Sequence, residues 1–296
     1  MKVDILEVFV TVVELKNFSH AAEKLHVSQP SVSLIIRNLE SEFGTKLIHR
    51  TPKYVQVTEA GKILYHHAKR ILDHYENAKQ EIHQLLHVVT GTLRIGVSFT
   101  IGEYILPKVL ADYAKQYPQV DIQVIISNTK EVIKGVETNQ HDIGLIEGKT
   151  THTDVEVIPF MQDEMIIVAP IHHPLSNYQS LQPTLLQDQV WILREKGSGT
   201  RTYSDVFIEE MHLNMKRHFI FSSIQGVKEA VKEGLGIALL SKWTVRKELE
   251  AGELQVLSLP NKRIYRPFSF VRKKQDPLTK AAEIFIKKME HFALAH

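Results

Sequence analysis

SHAAEKLHVSQPSVSLIIRNLE, residues 19–40, decides how the whole chain is read. Ser19 is a good N-cap, and Ala21, Ala22 and Leu25 follow at helical spacing, so a short helix is expected to end near Val27. Ser28 then caps another helix, with Pro30 in its first turn, where the missing N–H has no partner to lose. The spacing predicts this second helix from about Gln29 to Glu42. It buries Val32, Ile35 or Ile36, and Leu39, and leaves Gln29, Ser31, Ser33, Leu34, Arg37 and Asn38 on the remaining surface. Gly44 supplies the stop.

On the N-terminal side, Ile5, Val8, Phe9, Val12 and Val13 make one helical stripe. On the C-terminal side, KLIHRTPKYVQVT alternates apolar and polar residues around Thr51-Pro52-Lys53, as a short hairpin would. A short helix, a capped helix of small polar residues and a hairpin tipped by Arg50 and Lys53 suit a DNA duplex. The helix fits the major groove and the wing reaches phosphate. The competing reading is a three-helix dimerisation or packing module whose Ser and Gln side chains face water.

Basic charge concentrates in the same stretch, which would suit a duplex, although by itself a solvated face explains it more simply. From Lys24 to Arg70 there are eight bases against Glu40, Glu42 and Glu59, although the whole chain carries only +2. At 296 residues two or more domains are expected. No apolar run approaches the roughly 20 residues that span a bilayer, and the amphipathic, acid-bearing start is unlike a secretory signal, so a cytoplasmic protein is expected. The absence of cysteine excludes disulfides, thiolate metal sites and cysteine nucleophiles.

Thr58-Glu59-Ala60-Gly61 looks like a capped helix start. After it, Leu64, Ala68, Ile71, Tyr75, Ala78, Ile82, Leu85 and Val89 advance by alternating steps of four and three, a heptad seam. A helix from Glu59 to Val88 would be about 45 Å long at about 1.5 Å per residue. It could pack on its own chain, but a dimer is the preferred reading, because one short helix reads too few base pairs and a twofold pair reads two half-sites. His83 and His87 lie four apart on it, yet no third ligand stands at motif spacing, so no metal is expected.

TGTLRIGVS starts a new domain near Thr92. Beyond it, strand and helix patterns alternate, as in a parallel sheet with crossover helices. Ligands in open α/β sheets bind where strand ends meet helix starts, because free N–H groups and the helix dipole favour anions there. Three junctions carry such chemistry: Ser98, Thr100 and Gly102; Ser127-Asn128-Thr129; and KGSGTR, Lys196 to Arg201. Together these hydroxyls, glycine-freed amides and Arg201 describe a cup for a small oxyanion or carboxylate. KGSGTR lacks the spacing of a phosphate-binding P-loop, and by itself could be a plain helix cap with Arg201 in a surface ion pair. Ser222 and Ser223 read as packing, with Gly234 and Gly236 permitting a tight turn.

The stretch 18–61 resembles the N-terminal winged helix-turn-helix of LysR-type transcriptional regulators. The resemblance rests on Ala21-Ala22, Leu25, Ser28-Gln29-Pro30, Val32-Ser33, Leu39-Glu40, Gly44, Leu47, Arg50, Lys53, Thr58 and Ala60-Gly61. Ile35 departs from it, standing where such proteins commonly carry Gln. The resemblance implies an all-α winged head over residues 1–58, with Ser28, Gln29, Pro30, Ser31, Ser33, Leu34, Arg37, Arg50 and Lys53 toward DNA, and a linker or dimerisation helix over 59–90. Residues 91–296 would form an α/β effector domain like a type 2 periplasmic binding protein, one lobe about 92–161 plus 268–296, the other about 162–267. The effector pocket then maps onto Ser98, Thr100, Ser127, Asn128 and Thr200, with Ser198 and Arg201 nearby. GSGTR is similar to members tied to sulfur assimilation or carbon fixation. The implied partners are promoter DNA, further copies of the chain as dimer or tetramer, RNA polymerase, and a small anionic effector, with no cofactor and no membrane.

An enzyme or a small-molecule-binding protein with a helical oligomerisation extension are the alternatives. Neither a nucleophile elbow nor a zinc signature appears, and the adjacent acids Asp163-Glu164 and Glu209-Glu210 diverge on a strand or helix, so they cannot work as an acid and base pair.

Overall fold

The computed structural model describes residues 2–50, 55–84, 89–150, 152–178, 181–260, 262–274 and 276–296. The chain divides into two compact units, residues 1–88 and 89–296.

The first unit contains α1 (Lys2–Leu15), α2 (Phe18–Lys24), α3 (Gln29–Phe43), the hairpin strands β1 (Ile48–Arg50) and β2 (Val55–Val57), and α4 (Glu59–Gln84). Phe9, Val12, Ala21, Val32, Ile36, Leu39, Leu47 and Ala68 are its buried centre. Of the two residues offered for the core of α3, Ile36 is buried and Ile35 only half-buried. The start of α2 differs from expectation. Asn17 is the cap, its side chain accepting from the amides of Ser19 (2.8 Å) and His20 (3.1 Å), and Ser19 lies inside the helix. Asn is as strong a cap as Ser, and starting at Phe18 buries that ring.

The expected seam on α4 splits. Leu64 and Ala68, with Tyr65 and Leu72, pack into the head's own core, whereas Ile71 and Ala78 remain exposed. Residues 85–88, including Leu85 and His87, and the side chains of Ile82 and His83 lie outside the described part.

The second unit runs β3 (Gly91–Ser98), α5 (Phe99–Tyr104), α6 (Leu106–Gln116), β4 (Val120–Ser127), α7 (Thr129–Glu137), β5 (Ile143–Glu147), β6 (Val155–Pro170), β7 (Gln189–Arg194), α8 (Gly199–Glu210), β8 (Met215–Phe221), α9 (Ile224–Lys232), β9 (Ala238–Ser241), α10 (Lys242–Glu250), β10 (Leu254–Leu257), β11 (Ile264–Lys273) and α11 (Lys280–Leu294). Among the described strands, β3 pairs in parallel with β4 and β5, and β7 with β8. β6 pairs antiparallel with β9, β10 and β11, and β5 pairs antiparallel with β11. The all-parallel expectation therefore gives way to a mixed sheet. Its physical reason is that the chain traverses the unit twice, out along β6 and back along β11, and two opposed passes lie side by side only as an antiparallel ladder.

Those two strands serve two cores. One, around Leu93, Ile95, Tyr113, Phe268 and Phe285, lies under α6 and α11. The other, around Ile167, Trp191, Phe207 and Ile237, lies beneath α8. The register of β6 with β11 shifts between Phe268 and Ser269, opposite Met161 and Pro159, between these cores. Ser223 caps α9 through the amide of Gly226, and Gly234 turns with φ +79°, while a Cβ on Gly236 would lie 2.3 Å from the Val190 carbonyl oxygen.

Candidate functional site

Two sites emerge, one in each unit. In the head, Ser28 caps α3, its Oγ accepting from the Ser31 amide at 3.3 Å, and Gln29 donates to the Ser33 hydroxyl at 3.0 Å. Gln29, Pro30, Ser31, Leu34, Arg37 and Asn38 are exposed along this helix, and Ser33 is half-buried. Gly44, with φ +65°, ends α3 in the left-handed conformation that glycine adopts without strain. Arg50 closes β1 opposite Val55, and Lys53 lies outside the described residues.

Glu40 fixes the wing to the helix, a role that sequence reasoning missed. One oxygen takes the Lys46 ammonium at 2.7 Å, and the other accepts from the amides of Leu47 (3.1 Å) and Ile48 (3.3 Å). Burial pushes this carboxyl upward, but Lys46 and the two amides outweigh it and hold the group below the usual glutamate range. Thr58 donates to the Lys46 carbonyl at 2.7 Å, and a Cβ on Gly61 would stand 2.1 Å from the Leu47 oxygen, so the hairpin stem is clamped from both sides. A cavity of about 250 Å³ beside Ser33 and Arg37 is also lined by Lys46 and His49.

In the second unit the site is organised around Arg266, which is fully buried. Its Nε donates to Asp163 at 2.6 Å, Nη1 lies 2.7 Å from Glu147 and 2.9 Å from the Thr200 hydroxyl, and Nη2 donates to the Thr100 hydroxyl at 3.0 Å. Glu147 also accepts the Thr100 amide at 2.6 Å and faces the Thr200 hydroxyl at 3.4 Å, while Ser241 donates to Asp163 at 2.6 Å. Burial favours the neutral form of the guanidinium, yet Glu147 and Asp163 more than compensate and raise its pKa. The same burial raises the Asp163 carboxyl despite Arg266, with Glu147 adding to the rise. Both carboxyl groups thus engage the same guanidinium.

Two of the expected effector residues join this arrangement, and two more are bonded at the neighbouring junctions. Thr100 and Thr200 contact Arg266 directly; Ser98 shares a 3.2 Å hydrogen bond with Thr129; Asn128 reaches Glu195 at 3.4 Å while capping α7. Ser127 is half-buried beside Ser98 in register, and Ser198 is buried at the start of α8 without making a capping bond. The Lys130 amide donates to the Gly197 carbonyl at 3.2 Å, and a Cβ on Gly199 would sit 2.2 Å from the Glu147 carbonyl oxygen, so the three junctions converge. Helix α8 begins at Gly199, which puts Thr200 and Arg201 in its first turn.

Arg201 takes the other course that the sequence left open. Its Nε pairs with Asp205 one turn along at 2.7 Å, and Nη1 donates to the Arg194 carbonyl. The cations at the junctions are instead Arg266 and Arg194. Arg194 is buried, forked onto Glu195 at 2.8 and 3.1 Å and stacked 4.5 Å from the Phe99 ring. Strand parity was the available signal. Arg266 alternates with the buried Phe268 and Phe270, and Asp163 with Met165 and Ile167, so each charge stands at an inward position. Asp163 and Glu164 do diverge: Glu164 pairs with Lys242 at 2.9 Å on the other face.

A winged helix-turn-helix head joined to an α/β unit with a polar junction between two cores defines a ligand-responsive DNA-binding regulator. Comparison with known proteins supports that class. Residues 3–62 match the bacterial regulatory helix-turn-helix model of the lysR family, and residues 87–293 match the LysR substrate binding domain. The chain belongs to the LysR family of transcriptional regulators. It is 48% identical to the HTH-type transcriptional regulator CysL of Bacillus subtilis, over 98% of this chain and 97% of that protein. It is 30% identical to a RuBisCO operon transcriptional regulator of Allochromatium vinosum, over 95% and 92% respectively. A full-length OxyR variant from Pseudomonas aeruginosa shares the fold, with a TM-score of 0.76 at 23% identity, over 98% of this chain and 94% of that one. The second unit has the fold of type 2 periplasmic binding proteins. No helix among the described residues is long and apolar enough to cross a membrane.

Proposed function

We propose that this regulator binds promoter DNA in the cytoplasm as a dimer or tetramer and senses a small anion, a sulfur oxyanion or carboxylate, in the cup of its second unit. In this reading α3 lies in the major groove. Ser31, Ser33, Leu34 and Arg37 meet base edges, with Ser28, Gln29 and Pro30 at the helix start, and Arg50 and Lys53 reach phosphate. The anion is held by Ser98, Thr100, Ser127, Asn128, Ser198 and Thr200, with Arg201 at the rim. Neither a catalytic step nor a resident cofactor is part of the proposal. RNA polymerase is the partner through which occupancy of the promoter is read.

The observation that carries this reading is that hydroxyls of the first and third junctions, Thr100 and Thr200, meet one buried guanidinium, while the second junction is tied to the first through Thr129 and Ser98. An anion that binds one arrangement of these junctions better than another shifts the population toward it, and the head's posture on DNA follows.

The test is a thermal-shift titration with sulfite, sulfate, phosphate and simple carboxylates, repeated on Ser198→Ala, whose hydroxyl makes no capping bond. A specific anion at 100 times its dissociation constant stabilises the protein by about 2.7 kcal/mol. That stabilisation, together with altered promoter occupancy, should be weakened in the variant. If no anion in the set raises the melting temperature or changes promoter binding, the sensing role is wrong.

A further inference from the structure

Two buried arginines stand at the junctions, and they are held in different ways. Every guanidinium nitrogen of Arg266 is taken, Nε by Asp163, Nη1 by Glu147 and Thr200, and Nη2 by Thr100. Both of its carboxyl partners are themselves buried, so a ligand could join that set only by stranding a buried charge. The Arg194 side chain is 2% exposed, but the Glu195 carboxylate forked onto it is 23% exposed and reaches water. Nε donates to one Glu195 oxygen at 2.8 Å; Nη2 donates to the other at 3.1 Å and to the Ser222 carbonyl at 3.4 Å. Among the described residues Nη1 has no hydrogen-bond partner, although a guanidinium this buried needs acceptors for its donors.

The fork joins consecutive residues. Neighbours on a strand point to opposite faces, so they pair only where the strand gives out. Strand β7 ends at Arg194, and Gly197 turns the chain with φ +95°. The Glu195 backbone is pinned, its amide donating to the Phe221 carbonyl at 3.1 Å and its carbonyl accepting from the Ser198 amide at 3.3 Å. The side chain can swing without breaking either bond. In the fork it also accepts from the Asn128 side-chain amide at 3.4 Å, and the Phe99 ring covers the guanidinium.

We infer that Glu195 is an internal stand-in for the anionic group of the effector, and that a carboxylate or sulfur oxyanion binds by displacing it from Arg194. The inference deepens the sensing role proposed above and rests on it. The incoming anion presents two oxygens on one centre to Nε and Nη2 and accepts from Asn128, and Nη1 is left for a further acceptor on the ligand. One carboxylate leaves as one anion arrives, so the buried guanidinium keeps a counter-charge throughout. The exchange also carries the signal. Glu195 in the fork ties the end of β7, in the core around Trp191, to Asn128, the cap of α7 in the core around Val132 and Ile146. After displacement that tie runs through the effector.

The experiment is titration of the full chain with sodium sulfite, sodium sulfate and sodium acetate, followed by melting temperature, in wild type, Glu195→Gln, Glu195→Asp and Arg194→Lys. A fork that Glu195 fills about nine-tenths of the time lowers apparent affinity about tenfold, so Glu195→Gln should tighten binding by about that factor. Glu195→Asp keeps the charge but draws the carboxylate back along the chain. Displacement therefore predicts tighter binding in this variant too, whereas simple repulsion predicts none. Arg194→Lys keeps the charge and loses the fork, and should weaken binding about tenfold or more. An anion that binds wild type and both Glu195 variants equally, that tightens only in Glu195→Gln, or that ignores Arg194→Lys overturns the exchange and leaves anion sensing standing. Absence of binding by wild type and all three variants overturns sensing itself, and the exchange with it.

Discussion

Arg266→Met removes the cation that holds Glu147 and Asp163 together inside the second unit. Methionine approximates the arginine stem, so the change isolates charge and hydrogen bonding from packing. Arg266 is 0% exposed, and its carboxylate partners are 3% and 0% exposed, so solvent cannot replace the missing cation. Breaking a buried pair by deleting one member costs about 3–5 kcal/mol, because an uncompensated charge stays behind. The expected loss at about pH 7.5 is therefore about 4 kcal/mol, a large share of the stability of a domain. Both tryptophans, Trp191 and Trp243, lie in the second unit, so urea unfolding followed by their fluorescence reports that unit. The sign with pH is fixed by Asp163. Its pKa is already raised by burial, and without Arg266 it rises further, so its contribution to stability grows as pH falls below its folded value and is lost as pH rises through it. The deficit of the variant should accordingly shrink between about pH 7.5 and about pH 5. Adding Asp163→Leu should recover much of the loss, since the buried carboxylate goes with its partner. A cost below about 1 kcal/mol at neutral pH, or a deficit indifferent to pH, would refute the reasoning.

Other expectations concern both units. The His141 ring is wedged between Gly96 and Gly135, its Nδ1 is buried without a hydrogen bond, and burial depresses its pKa. Its contribution is present above about pH 6.5 and lost as pH falls through the folded value, so His141→Leu should flatten the acid limb of a stability-pH curve. Glu40→Gln weakens the clamp on Lys46, Leu47 and Ile48. It should cost about 1–3 kcal/mol by chemical denaturation and lower affinity for all DNA sequences alike. Arg37→Ala should change base preference by about 1–3 kcal/mol at particular positions in a binding-site selection assay. Arg50→Ala and Lys53→Ala should instead make the slope of log affinity against log salt shallower by about 0.9 for each phosphate no longer neutralised, as read from titrations at several ionic strengths.

The order of the head was legible because each signal is local. Ser28 and Pro30 open α3, Gly44 ends it, and Val32 and Leu39 mark its buried side, all within a few turns of one helix. Even there the choice between Asn17 and Ser19 as cap of α2 escaped the sequence, since both residue types cap helices well, and the observed start at Phe18 buries that ring. In the second unit the hydroxyls at the strand ends could be picked out as junction chemistry. Arg201 stands beside them in sequence as the natural cation, but a carboxylate one turn along the same helix claims it.

The sequence by itself determined the reading head, its family and the three junctions, because capping, periodicity and short motifs are properties of neighbouring residues. The tertiary structure decided which charges meet. Asp163 and Arg266 are 103 positions apart, yet two long strands running in opposite directions set them opposite each other, and α5 brings Thr100, 166 positions away, to the same guanidinium. A charged side chain facing inward on a strand announces that it needs a partner. Which partner it finds depends on the path of the chain through space, and that path is fixed only when the two cores close around β6 and β11.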